Sequence, residues 1–237
     1  AYSVLNTYST NAPADSYQQA EQMVNRALTI DPDLADAHAI LGFIKFFHAR
    51  DRVGSELEFR RAIQGNPSNA PARHWFALTL AASNRPAEAL QEIEAAKSLD
   101  PRSPTIRSAA GVVAFQAGDL QRAIAESNKA LEIDEGSVPA YKVLRWAYTV
   151  LRDKQAARQV LEKEMGYVGG SREHPGWQII DAQLDALDEN KQQVAERIDQ
   201  IASNPIIRKS VAGFGFEIAI AYAAVDEPEK ALTWLEM

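Results

Sequence analysis

Residues 58–101 read EFRRAIQGNPSNAPARHWFALTLAASNRPAEALQEIEAAKSLDP, and two breakers punctuate them, Asn66-Pro67 and Asp100-Pro101, with the prolines 34 residues apart. Between the breakers apolar residues recur at i, i+3, i+4 and i+7, the period of an amphipathic helix. Proline ends each run because it cannot continue a helix and turns the residue before it away from helical geometry. The same punctuation returns on both sides. Pro32 lies 35 residues before Pro67, and 34 residues after Pro101 stands Glu135, where Asp134-Glu135-Gly136 replaces the proline stop. Pro205 follows Pro101 by 104 residues, about three beats, with Gly169-Gly170 at the intermediate beat. A beat of this length predicts a solenoid of stacked helix pairs.

Counted with each stop as position 32, small residues recur at positions 20 and 27: Ala20 and Ala27, Ser55 and Ala62, Ala89 and Ala96, Ala123 and Ala130. Small residues also hold position 8, as Gly42, Ala77 and Gly111. Two antiparallel helices approach closely only where the crossing residues are small, and overpacking such a site costs about 1–3 kcal/mol. Large residues at positions 7 and 24, such as Leu41 with Phe59 and Phe76 with Ile93, fill the space beside the crossing.

On these residues the chain resembles the tetratricopeptide repeat (TPR) family. The resemblance implies an all-α fold, an α-α superhelix or solenoid of about six to seven helix-turn-helix units occupying residues 1–237. Units 33–67, 68–101 and 102–135 are well formed. An N-terminal unit covers 1–32, with a first helix expected at Tyr2–Thr10; a divergent unit covers 136–170, a degenerate one 171–205 and a truncated one 206–237. In the divergent unit Arg145 occupies the small position 8, so the unit is expected to splay or to tilt Arg145 into solvent. In the degenerate unit Asp181 takes position 8 and Gln193 position 20, with Val194 or Ala195 as a substitute shifted by one residue. The last unit leaves Ile218, Tyr222 and Leu235 without a following helix, which predicts docking of another copy there.

A narrower resemblance, carried by Phe59-Arg60-Arg61-Ala62, Ala72-Arg73-His74-Trp75, Arg85 with Glu88-Ala89 and Asp100-Pro101 with Ser103, is to the C-terminal repeat regions of bacterial multidomain regulators. In these a winged-helix, adenylate cyclase or protein kinase domain precedes the repeats. The chain starts at Ala1 and stops at Met237 inside an amphipathic pattern, so a fragment or processed product is expected.

Composition narrows the function. Lys+Arg number 25 against Asp+Glu 32, a formal charge of −7, which disfavours nucleic-acid binding. There is no cysteine, which excludes disulfides and thiolate chemistry. The most apolar stretch, residues 214–224, is shorter than a spanning helix requires and contains Glu217, so no membrane contact is expected. Histidines 38, 48, 74 and 174 show no metal-ligand spacing; Gly166–Ser171 has glycines without the Lys-Ser/Thr of a phosphate loop and reads as an interhelix loop; no Ser/His/Asp set assembles. No cofactor, no metal and no enzymatic activity are expected.

In the resembled family the inner groove is lined by first-helix positions 2, 5, 9, 12 and 13. Here they include Phe43, Phe46, Phe47, His74, Leu78, Val112, Phe115, Lys142 and Trp146, an apolar and aromatic set. The basic and Asn side chains with which some members clamp a C-terminal carboxylate are replaced by Ala39, Phe43, Trp75, Thr105 and Ala109. The expected partner is therefore a protein or peptide offering an apolar segment, from another protein, another copy or another domain of the same polypeptide. The alternative is a regulatory domain that senses a small molecule inside the superhelix. A cytoplasmic location is expected, with the periplasm and membrane anchoring of a longer protein as alternatives.

Overall fold

The computed structural model describes residues 16–209 and 211–236, among which there are fourteen helices and no strand. The expected helix at Tyr2–Thr10 lies outside the described residues. Packing divides the chain into two compact units, one running to Ala140 and one starting at Tyr141.

The first unit contains α1 (Ser16–Ile30), α2 (Ala35–Phe47), α3 (Arg52–Gly65), α4 (Ala70–Ala82), α5 (Pro86–Leu99), α6 (Pro104–Gln116) and α7 (Leu120–Ile133). Each stop works as the spacing predicts. The Asp31 and Asn66 side chains accept the backbone N–H two residues on, at 3.1 Å each, and Asp134 does the same for Gly136 at 3.0 Å. These turns satisfy backbone groups where the helix ends. New helices start on side-chain caps: Asp51 accepts from Gly54, Asn69 from Ala72, Ser103 from Ile106 and Asp119 from Arg122.

Helices α2/α3, α4/α5 and α6/α7 form hairpins with small residues at their crossings. Ser55, Ala62, Ala77, Ala89, Ala96, Ala123 and Ala130 are fully buried. A Cβ added to Gly42 would lie 3.1 Å from the Phe59 ring, and the Ser55 hydroxyl donates to the Gly42 carbonyl at 2.8 Å, so the close approach carries a hydrogen bond. Phe59 and Phe76 stack at 5.7 Å between successive hairpins. The turn inside each hairpin follows the same beat: Arg50, Asn84 and Gly118, spaced by 34 residues, all have positive φ (55°, 58° and 81°). Glycine and asparagine adopt this conformation readily, whereas at Arg50 it costs about 1–2 kcal/mol.

Polar ties repeat with the helices. Arg73 bonds back to the Pro67 carbonyl at 3.0 Å and forward to Glu92 at 2.6 Å; one beat later Arg107 reaches the Pro101 carbonyl and Glu126 at 3.3 and 2.9 Å. Lys97 also donates to Glu126 at 2.7 Å. Burial opposes the Glu126 carboxylate, but these two cations outweigh it and hold its pKa below the usual glutamate value.

The second unit holds most of α8 (Val138–Val150) with α9 (Lys154–Val168), α10 (Pro175–Asp185), α11 (Lys191–Ala202), the short α12 (Pro205–Lys209), α13 (Val211–Ala224) and α14 (Pro228–Glu236). Three readings of the sequence are corrected here. Gly166 lies inside α9 rather than in the loop, which begins at the left-handed Gly169 (φ 66°). Ile218 and Tyr222 are buried in the core formed by α9, α10, α11, α13 and α14, so only Leu235 of that trio is exposed. Arg145 does not tilt into solvent: it is 1% exposed, for a reason given below. In the α10/α11 pair Ala182, Val194 and Ala195 are buried, while Asp181 is half-buried and Gln193 exposed, the one-residue shift read from the sequence.

The Gly42→Leu substitution is expected to lower unfolding free energy by about 1–3 kcal/mol in urea titrations, because the Phe59 ring must move. Gly118→Ala should cost roughly 1 kcal/mol through its positive φ alone.

Candidate protein-binding surfaces

In the first unit the sequence-predicted residues divide between core and surface. Phe43 and His74 are buried, Phe46, Leu78, Val112 and Phe115 are half-buried, and Phe47 is 42% exposed. Phe43, Phe46 and Phe47 do lie together. The Phe43 ring is 4.6 Å from Phe47 and 5.2 Å from Trp75, and Phe46 meets Phe47 edge-on at 4.9 Å. Trp75, which sequence reasoning left off the set, is half-buried on α4 beside His74, with ring centroids 6.1 Å apart. Phe43 is thus the buried root of an aromatic cluster whose outer edge is Phe46 and Phe47. Anchoring the inner rings keeps the outer ones in place, and pre-ordered aromatics lose little entropy when a partner covers them. Burial lowers the pKa of His74 to about 4, so at neutral pH it is an uncharged wall of this cluster.

In the second unit Lys142 is exposed and Trp146 half-buried, both on α8. Phe216 of α13 meets the Trp146 ring edge-on at 6.3 Å, so the chain's own helix reaches this position. One residue before Trp146, the Arg145 guanidinium Nε donates to Glu164 of α9 at 3.4 Å, and its terminal nitrogen lies 3.7 Å from Glu217 of α13. Side-chain exposures are 1%, 2% and 7% respectively. Burial pushes the Glu164 carboxyl above the usual range, with Glu217 adding to that push and Arg145 and Lys142 opposing it.

The origin of this triad is a displaced spacing. Arg73/Glu92 and Arg107/Glu126 are 19 residues apart, and so are Arg145/Glu164. In the first two hairpins the arginine sits at position 4 and the glutamate at 23. In the third both have moved one helical turn inward, to positions 8 and 27, where the crossing calls for small residues. Sequence reasoning marked Arg145 and missed Glu164; the signal was an acid at position 27 opposite a base at position 8. Nothing in the spacing pointed to Glu217.

The other departure, Asp181, borders two clefts of about 320 and 350 Å³ that share Asp181 and Gln178. Their walls carry Trp177, Leu161 and Met165 on one side and Ile201 on the other, under Arg158, Arg172 and Arg197. The cations are paired: Arg158 and Arg197 with the buried Asp185, and Arg172 with Glu162. Among the described residues no group of three or more His, Asp or Glu is placed to hold a metal ion, and no helix is long and apolar enough to cross a membrane.

A scan against protein-family models and a search of curated proteins give no match. Solved structures do match. The chain is similar to PilW, a widely conserved type IV pilus biogenesis factor, at 21% identity over 80% of this chain and 86% of that one, with a TM-score of 0.69. It is similar to PilF of Pseudomonas aeruginosa at 21% identity over 85% and 89%, TM-score 0.62. It is similar to a tetratricopeptide repeat protein of Parabacteroides merdae at 15% identity over 93% and 85%, TM-score 0.67. At these identities the likeness carries the fold: the chain has the all-α superhelical fold of tetratricopeptide repeat proteins.

Two outcomes test this account. His74 binds a proton less readily when folded, so wild-type stability should fall as pH drops from 6.5 toward 4, by a few kcal/mol on the order of 1.4 per pH unit. His74→Phe should flatten that slope in urea titrations across the range. Arg145→Ala should cost about 3–5 kcal/mol by leaving buried carboxylates unpaired, whereas Arg145→Met with Glu164→Leu and Glu217→Leu should match or exceed wild-type stability.

Proposed function

We propose that the protein is an interaction scaffold that holds an apolar segment of another protein against the aromatic surface of its first unit. The observation that carries this reading is the Phe46/Phe47 edge, anchored on buried Phe43 and half-buried Trp75, with Phe47 42% exposed. Covering an aromatic side chain is worth about 1.5–3 kcal/mol, and anchored aromatic clusters supply a large share of binding energy in protein interfaces. Val112, Phe115 and Leu78 extend the half-buried apolar lining on α6 and α4. The resemblance to the repeat regions of bacterial multidomain regulators supplies the wider setting we infer, a signalling or transcription regulator acting in the cytoplasm. As the second reading we infer a cell-envelope setting, which the similarity to PilW, a pilus biogenesis factor, supports.

A displayed peptide library selected on the full chain should enrich sequences with apolar or aromatic anchors. A chain with Phe46→Ser and Phe47→Ser should bind those peptides at least tenfold more weakly with unchanged helical circular dichroism. Equal binding by the variant, or loss of its helix content, would overturn the assignment.

A further inference from the structure

Six residues after each of the first three proline stops, a basic side chain turns back to the stop carbonyl and forward to a glutamate of the next helix. After Pro67 and Pro101 that side chain is an arginine, Arg73 or Arg107. After Pro32 it is His38. The His38 Nε2 lies 2.8 Å from the Pro32 carbonyl oxygen, and its Nδ1 lies 2.6 Å from Glu58 Oε2 on α3. Both side chains are buried, His38 on α2 and Glu58 opposite it.

Histidine in place of arginine changes the chemistry of the tie. A guanidinium keeps all its N–H donors in a protein, so Arg73 and Arg107 serve both oxygens at once. An imidazole serves two acceptors only when both ring nitrogens are protonated; neutral, it donates through one and turns a lone pair on the other. Neither oxygen can donate in its place. The Pro32 carbonyl has no proton to give. Burial opposes the Glu58 carboxylate, but hydrogen bonds from Lys45, at 2.7 Å, and from His38 outweigh it and hold its pKa below the usual glutamate value. Arg61 of α3 lies 3.7 Å from the same carboxylate. Among the described residues no charged side chain of α1 or α4 pairs with His38 or Glu58, and Asp31 and Asp33 of the turn are exposed.

We propose that His38 makes the first of these ties pH-sensitive where the next two are permanent: with both ring protons it fastens the turn between α1 and α2 to α3, and on losing one it keeps Glu58 and lets go of the Pro32 carbonyl. The proton leaves Nε2 because an ionised carboxylate is the stronger acceptor and retains Nδ1–H. Histidine gives up its proton near neutrality, so the turn is fastened on the acid side and loosened on the alkaline side. Helix α1 stays packed through Val24 against Ala37 and Leu41. What loosens is the turn at residues 31–34, where the Asp33 amide donates to the Asp31 side chain at 3.1 Å and the Leu34 amide to the Asp31 carbonyl at 3.3 Å. The stop at Asn66 is built the same way, with Ser68 and Asn69 donating to the Asn66 side chain and carbonyl, and Arg73 holds it without titrating.

The test is amide hydrogen exchange of the full chain on either side of neutrality, at about pH 5.5 and about pH 8, read as protection factors so that ordinary base catalysis cancels. In the wild type, protection at Asp33 and Leu34 should fall by roughly threefold or more between the two, the loss of one hydrogen bond, while Ser68 and Asn69 keep theirs. His74, at about 4, is uncharged throughout. His48 stacks on Tyr17 of α1 at 4.8 Å, so variants at position 38 alone assign the effect. His38→Arg should hold the turn equally at both pH values. His38→Gln, which has no titrating proton, should also remove the pH dependence and decides the matter if arginine disturbs the buried site. The ring 15N spectrum of His38 should show two protonated nitrogens on the acid side and Nδ1–H alone on the alkaline side. Unchanged protection at Asp33 and Leu34 in the wild type would overturn the proposal. So would an equal fall at Ser68 and Asn69, a fall that persists in His38→Gln, or a neutral ring protonated on Nε2.

Discussion

Close approach of two helices is the constraint on which the rest of this structure depends. Within each regular hairpin the crossing is made by glycine, alanine or serine, buried to the last atom at Ser55, Ala62, Ala89 and Ala96. Side chains of that size let the backbones come near enough for Phe59 and Ile93 to fill the space beside them without voids. The Gly42 carbonyl becomes reachable by the Ser55 hydroxyl only at this separation. Everything placed by the hairpins, including the aromatic cluster on α2 and α4, inherits its precision from that contact.

The second unit shows two ways of resolving a breach of the constraint. At the α8/α9 crossing the small residues are replaced by Arg145 and Glu164, opposite charges that compensate each other and recruit Glu217 from α13. At α10/α11 a lone Asp181 has no such counterpart at the crossing; the packed register moves by one residue onto Ala182 and Val194, and Asp181 is left at the border of two clefts. A paired breach is filled with charge, and a single one is moved aside. Both resolutions put charged groups where the regular hairpins have none, and this is why the unit that departs from the repeat also holds the less ordinary chemistry.

Periodic ion pairs show how little has to change for a new site to arise. The 19-residue spacing of Arg73/Glu92 and Arg107/Glu126 serves partly buried ties beside the proline stops. Sliding the same pair inward by one helical turn converts it into a buried triad. At the edge water still reaches the arginines and competes for the pair. In the interior it becomes a determinant of what may pack against it, because any helix laid over it must answer an unsatisfied guanidinium.

The sequence by itself determined the beat, the stops, the crossings and the aromatic character of α2. These follow from local rules: proline and Asx residues end helices, small residues permit crossing, and apolar residues at helical spacing mark a face. It also marked Arg145 and Asp181 as departures. Tertiary structure alone decided what became of them. Whether Arg145 is solvated or buried depends on Glu217, 72 positions away, and whether Phe43 is surface or root depends on Trp75 from the next hairpin. The left-handed turn at Arg50 escaped notice for a related reason: the surrounding hairpin imposes a conformation its side chain does not prefer, so the residue type does not announce it. Burial of a charge is a property of the neighbours that fold around it, and periodicity along the chain does not specify which distant neighbours those are.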